Sequence, residues 1–485
     1  MRLSRIQLLA SAGLTGGLAF LMPAGAGAET LNQALSSAYS YNPQLDAQRA
    51  ALRATDEQVA IAKSGYRPTV TANGDINVVE TAINPKPPAR GDLGGGAGTT
   101  WPAGYSINAV QPLFKGLAVV NEVRAAEASV RAGRETLRDT ERTVLLAAAT
   151  AYMDVVRDQA IVKLRENNVQ VLSRELKATQ DRFGVGEVTR TDVAQAEARR
   201  AGAVAQLDLA RANLKTSRAT YEQIIGHPPS SVAEPGSPDR LLPKSLEEAV
   251  GTGARENPLV LAALYNEEAS RYQVDQIRGG LLPQVQVEAN YSDRFGTSQA
   301  IDETRTATVT GRFSVPLYEA GRVSAQVRQA KHTHISRLQS IEVARTQVQQ
   351  AVVSSWSQLQ AARAAVQSDL SQVKANQTAL AGVREEERVG QRTLLDVLNA
   401  EQELLNAQVN LETDKRNLVV AGYTVLSQIG RLDAATLSVA SNVYDPEIHY
   451  EEVRRKWWGI SITHGDGRRE FLDLWPTRVE REPTK

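Results

Sequence analysis

The sequence predicts a membrane protein of mixed α and β class, internally duplicated, in which strands from several subunits close one β-barrel and long coiled-coil helices continue it on one side. Three observations predict it. The 485-residue chain repeats itself once; two proline-free stretches carry seven-residue apolar stripes; and four short segments alternate apolar and polar residues.

Residues 1–28 read as a cleavable secretory signal: Arg2 and Arg5, an apolar run from Leu8 to Met22, then Ala26-Gly27-Ala28. A membrane-anchoring helix is disfavoured, because the run is short and broken by Gly13, Gly16 and Gly17. The mature chain is expected to begin near Glu29. The chain has no cysteine, which excludes disulfides, thiolate metal sites and a lipidated N-terminal cysteine. Formal net charge is zero, which gives no electrostatic case for nucleic acid.

The duplication organises everything downstream. Leu31, Ala34, Asn42-Pro43, Gly65 and Pro68 recur as Leu246, Ala249, Asn257-Pro258, Gly280 and Pro283, at an offset of 215. From Pro112 the offset is 204: Pro112-Leu113-Phe114 matches Pro316-Leu317-Tyr318, Tyr152 matches Trp356, Asp192-Val193 matches Asp396-Val397, and Gly226 matches Gly430. The first copy therefore holds 11 extra residues, placed at Asn84 to Gly98, whose prolines and glycines favour a long loop. No Gly-Lys-Ser/Thr follows, so this is not a phosphate loop. The expected organisation is a first repeat at 29–226, a linker with five prolines at 227–244, a second repeat at 245–430 and a tail at 431–485.

No proline falls between Leu113 and His227 or between Leu317 and Asp445. The stripe Val352, Leu359, Val366, Val373, Leu380, its repeat partners Ala148, Val155, Val162, Val169, Leu176, and the stripe Val397, Leu404, Leu411, Leu418, Val425 are heptads. They predict helices packed side by side over about 100 Å. Breaks at about 183–190 and 389–395, with Gly184, Gly186 and Gly390, permit a reversal, giving one long helical hairpin per copy.

Strands are expected at about 66–80, 99–114, 282–295 and 304–317. Val70, Ala72, Gly74, Ile76 and Val78 alternate with Thr69, Thr71, Asn73, Asp75 and Asn77, and the other three segments repeat the pattern. A half-buried sheet in a soluble domain would look similar. As membrane strands they are too few for one chain to close a barrel: two chains would give eight strands, three would give twelve and leave room for an aqueous pore.

These residues resemble the TolC family of outer-membrane efflux proteins across nearly the whole mature chain. The resemblance rests on the duplicated Leu/Ala/Asn-Pro opening, the strand pairs, the motif from Val389 through Arg392, Asp396 and Asn399 to Ala400, and the terminal Gln428-Ile429-Gly430. It implies a homotrimer with a twelve-stranded barrel surrounded by outer-membrane lipid and a helical tunnel in the periplasm. A periplasmic adaptor and an inner-membrane transporter would dock there. Small toxic compounds or unfolded polypeptides would pass outward.

The resemblance also places a constriction at Asp396, three copies of which would surround one axis and attract cations. Its alternative is a helix-start carboxylate bonded to free backbone N–H groups, as Asp192 is expected to be. Many family members have a second Asp where this chain has Asn399, which halves the ring's charge. Arg392 matches a residue that latches the neighbouring hairpin, with Thr191 and Asp192 matching its partners. Glu387 stands where the family often has a latching tyrosine. The segment Asp445 to Tyr450, followed by Arg454-Arg455-Lys456-Trp457-Trp458, resembles tails that lie along the outside of the tunnel.

No catalytic, cofactor or metal site is expected: carboxylates on heptad helices are solvated faces, and His332 and His334 point apart on a helix. A soluble periplasmic coiled-coil scaffold or adaptor is the alternative; it would account for the helices and leave the strands unexplained. A simple porin would not need the helices.

Overall fold

The computed structural model describes residues 28–82, 97–298, 301–439, 443–463 and 469–470. The expected signal at 1–28, all but Ala28, lies outside them, as do most of the expected loop at 84–98 and the end of the 431–485 tail. The first copy contains α1 (Leu31–Tyr41), α2 (Pro43–Ser64), β1 (Thr69–Ile76), β2 (Val79–Ala82), β3 (Ala97–Thr100), β4 (Ala103–Lys115), α3 (Ala118–Gly184) and α4 (Arg190–Ile225). The second contains α5 (Leu246–Glu256), α6 (Pro258–Arg278), β5 (Gln284–Ser298), β6 (Ile301–Ser314), α7 (Arg322–Arg388) and α8 (Leu394–Ile429). Helix α9 (Pro446–Arg454) and the two-residue strands β7 (Ile462–Thr463) and β8 (Arg469–Glu470) follow.

The Asn-Pro pairs do two jobs. Asn42 and Asn257 cap α2 and α6 by accepting the N–H groups of Gln44 and Leu259, each at 2.9 Å, and the proline occupies a first-turn position where its missing N–H is harmless. Their amide nitrogens donate to Ile224 and Gln428 at the ends of α4 and α8, so each short helix pair is tied to the returning arm of its hairpin.

Helices α3 and α7 each run 67 residues, about 100 Å, and α4 and α8 each return over 36. The main core forms where α1 and α5 pack on the hairpins. Leu35, Leu145, Val352, Leu359, Leu426 and Ile429 are fully buried there. The linker is held down at the same level. Glu29 forms a parallel bridge with Val232, and the Tyr152 hydroxyl lies 2.7 Å from the carbonyls of Glu29 and Ala233. Burial pushes the Tyr152 phenol up to about 12, so it stays a donor.

Strands β1, β4, β5 and β6 form one antiparallel sheet in the order β1-β4-β5-β6, with the two copies joined between β4 and β5. The register stacks like with like. Val70 faces Ala109, Ala109 faces Ala289 and Ala289 faces Val309 on one surface; Thr71, Asn108, Asn290 and Thr308 line up on the other. The alternation expected to run to Val78 in the first strand stops at Ile76. Asn77 donates its N–H to the Pro102 carbonyl, and β2 then pairs with β3 as a separate ribbon. At the base of the sheet the copies touch backbone to backbone: a Cβ on Gly116 would come within 2.1 Å of the Gly279 carbonyl.

Candidate functional site: the hairpin tips and the barrel sheet

Both hairpins reverse in the same way. Gly186 and Gly390 take φ of +82° and +81° just past the ends of α3 and α7. Thr189 and Thr393 then cap α4 and α8 in reciprocal capping boxes with Asp192 and Asp396. Asp396 Oδ2 accepts the Thr393 N–H at 3.0 Å and its hydroxyl at 2.8 Å; Asp192 does the same with Thr189 at 2.9 and 2.8 Å. These bonds from Thr393 hold the Asp396 carboxyl below the usual aspartate range, so it is charged at neutral pH.

Within one chain Arg392 and Asp192, expected to form a latch, do not meet. Arg392 Nε donates to Glu386 at 2.9 Å on its own hairpin instead of reaching Asp192, whose bonded partner is the Thr189 cap. Thr191 is exposed beside it. The links that do cross between hairpins involve other arginines. Arg182 pairs with Glu387 at 2.9 Å, and Arg199 donates to the Asn399 side-chain Oδ1 at 2.7 Å. Arg384 and Glu401 meet at 2.5 Å within the second hairpin. Leu172, Ala203 and Leu398 form a small apolar cluster joining the hairpins a few turns from the tips. Arg182 and Arg199 were not singled out from sequence. The available signal was a charge divergence between the copies, since Arg182 and Phe183 stand where the second copy has Glu386 and Glu387.

The sheet is the other half of the candidate site. Its polar face carries Glu288 and Arg312 in a two-bond pair at 2.8 and 2.9 Å, with Arg294 3.8 Å from Asp75. Its other face presents Val70, Ile107, Val309 and Phe313, all exposed in the single chain, and among the described residues carries charge only at the end far from the helices, where Asp293 pairs with Arg305 at 3.3 Å. One apolar and one polar face is the pattern of strands between lipid and water. Among the described residues no cluster of metal-ligating side chains exists, and no helix is long and apolar enough to cross a membrane. His334 bonds to Glu267 at 2.7 Å.

Comparison with known proteins agrees with this architecture. Residues 34–227 and 253–431 match the outer membrane efflux protein family. The chain is 40% identical to the outer membrane efflux protein BepC of Brucella suis over 95% of its length and 98% of that protein's. It is 28% identical to the outer membrane protein TolC of Escherichia coli over 63% of its length and 65% of that protein's. The solved CmeC outer membrane channel of Campylobacter jejuni superposes with a TM-score of 0.73 at 17% identity, over 88% of this chain and 89% of that one. Channels of this type assemble as trimers and pair with an adaptor and an inner-membrane transporter, and four strands per chain are consistent with a shared barrel. The reading as a soluble scaffold is thereby set aside. The chain belongs to the outer membrane efflux protein family: it is a subunit of an outer-membrane exit duct for efflux or secretion, and not an enzyme.

Proposed function

We propose that three copies close their sheets into one twelve-stranded barrel, with a periplasmic tunnel below it whose far end is gated by the hairpin tips. The observation that carries this is the sheet itself: β1 and β6 have no further strand partner among the described residues, and a two-faced sheet with open edges is unstable in lipid until strands of another subunit complete it. A signal at 1–28, removed near Glu29, would deliver the chain to the periplasm. The duct passes small toxic compounds or unfolded polypeptides presented by a periplasmic adaptor and an inner-membrane transporter, and its walls need no chemistry to do so.

In this reading Asp396 keeps its cap through Oδ2 while its charge contributes to an acidic ring, with Asn399 one turn on held by Arg199. The closed state is held by Arg182 with Glu387, and Arg392 braces Glu386 within its hairpin. Thr191 and Asp192 stand at the tip of the first hairpin, where a neighbouring subunit's Arg392 would come within reach. The test is single-channel recording in planar bilayers of the native protein and Asp396→Asn, which retains an acceptor for the cap. Cation selectivity that falls in the variant supports the ring. Unchanged selectivity with an intact trimer removes Asp396 from the gate.

A further inference from the structure

The tail beyond the second copy climbs toward the barrel. His449 Nδ1 lies 2.9 Å from Asp56, Tyr450 packs on Val59, Ala62, Ala126 and Val130, and Arg67 donates to the Trp457 carbonyl at 3.1 Å. Contacts thus advance from residue 56 in α2 to residue 67, just past its end, as the tail advances from 449 to 457. Arg134 anchors the start, pairing with Glu447 and lying 5.2 Å from the Tyr450 ring. Arg67 holds the end, its guanidinium 4.7 Å from the Trp457 ring centroid.

Arg67 marks a definite height. It precedes Pro68 and the first barrel strand, and the repeat offset of 215 equates it with Leu282, which precedes Pro283. At this level the strands hand over to the helices, and Tyr66, Leu113, Leu117, Leu317 and Tyr318 are all exposed. Apolar and aromatic side chains at a barrel rim mark the boundary between hydrocarbon and water.

The tail delivers more of the same to this boundary. Trp458 is 91% exposed, and Trp457 and Ile460 are each 68% exposed. A run this apolar left in water marks a contact surface. Arg454, Arg455 and Lys456 immediately precede it, beside Lys63, whose ammonium burial and the neighbouring Arg454 push down. Glu451 accepts from Arg454 and Arg455 at 3.3 and 3.4 Å, and Lys456 donates to the Ser461 carbonyl; with three cations against Glu451 and Glu452, residues 451–456 are basic by one charge and Lys63 adds to it.

We propose that residues 454–460 form a membrane-interface strap, in which Trp458 and Ile460 enter the periplasmic leaflet of the outer membrane and the three cations bind anionic phospholipid headgroups. Charge complementarity and continuity with the barrel's own rim select lipid over a protein partner. Since the chain has no cysteine, a thiol-linked lipid anchor is not available to it, and the strap would tie the outside of α2 to the bilayer by side chains alone. The inference rests on the barrel lying in the outer membrane.

The test uses full-length protein in phosphatidylethanolamine–phosphatidylglycerol vesicles, with and without bromine on the acyl carbons next to the headgroup. The fluorescence of the native protein minus that of Trp458→Phe isolates this side chain among the five tryptophans. The expected difference emission is blue-shifted and lost in brominated vesicles, and changing Arg455 and Lys456 together to Gln restores part of it. Protein that floats with the vesicles while Trp458 stays water-like and unquenched overturns the strap alone. Protection of Trp458 that arises only when a periplasmic adaptor is added assigns the surface to protein and also overturns it. Protein that does not float with vesicles overturns the barrel reading as well.

Discussion

The side-chain amide of Asn257 donates to the carbonyl of Gln428 at 2.7 Å while its oxygen caps α6, and Asn42 repeats both bonds in the first copy. One buried side chain thus starts a helix and fastens the end of another. Asn257→Ala removes a cap and leaves the part-buried Gln428 carbonyl without this partner. The expected loss is about 2–3 kcal/mol per subunit, read as a lower urea midpoint of the detergent-solubilised trimer.

Gly430 and Gly390 share a left-handed backbone, with φ of +84° and +81°, and differ in surroundings. A Cβ at Gly430 would meet the Glu256 carbonyl oxygen at 2.6 Å and the Asn257 Cα at 2.8 Å, whereas at Gly390 nothing lies within 4 Å. Gly390→Ala is expected to cost about 1 kcal/mol from backbone strain alone. Gly430→Ala must also move the α5–α6 joint, and should cost about 3 kcal/mol or more. Thermal melts of the two purified variants make the comparison.

The Arg182–Glu387 pair is half open to solvent, at 49% and 21% side-chain exposure, so each copy is worth no more than about 1 kcal/mol. Three copies acting together would shift an opening equilibrium by about tenfold to a hundredfold. Glu387→Arg should raise open-channel probability in planar bilayers, and adding Arg182→Glu should bring it back. Failure of the double variant to restore closure would remove this pair from the latch.

Glu141 is half-buried in α3 and accepts the Ala434 N–H at 2.6 Å. Burial pushes its carboxyl above the ordinary glutamate value near 4.5, against the pull of that hydrogen bond. A raised carboxyl favours the protonated folded state. Its stabilising contribution is therefore complete below pH 4.5 and is lost as pH rises through the raised value. Glu141→Gln keeps an acceptor for Ala434 and carries no charge. It should be at least as stable as the native protein at pH 7 and should show a flatter stability profile between pH 4.5 and 7, by calorimetry.

The long helices and the strand faces were legible because each obeys a local period, seven in one case and two in the other, and because the second copy repeats the first. Asp396 was legible only as a choice. A carboxylate three residues after Thr393 is a helix cap by local geometry, whereas a ring requires symmetry that one chain does not display. The links between hairpins were not legible, because Arg182 and Glu387 lie 205 residues apart and meet only through the lateral offset of two packed hairpins. The path of the tail was hidden for the same reason: nothing local to Trp457 specifies Arg67 as its partner.

The close backbone contact of Gly116 with Gly279 sets a fulcrum at the base of the sheet, where both copies turn from strand to helix. The hairpin tips lie one 67-residue helix away, about 100 Å. Over that arm a single degree of tilt carries the tips about 2 Å, enough to part an ion pair, while the joint itself barely moves. In the proposed gate, a small tilt at this contact would therefore be magnified at the tips. A side chain added at Gly116 would force the two copies apart at the base of the sheet and, by the same geometry, would displace the tips.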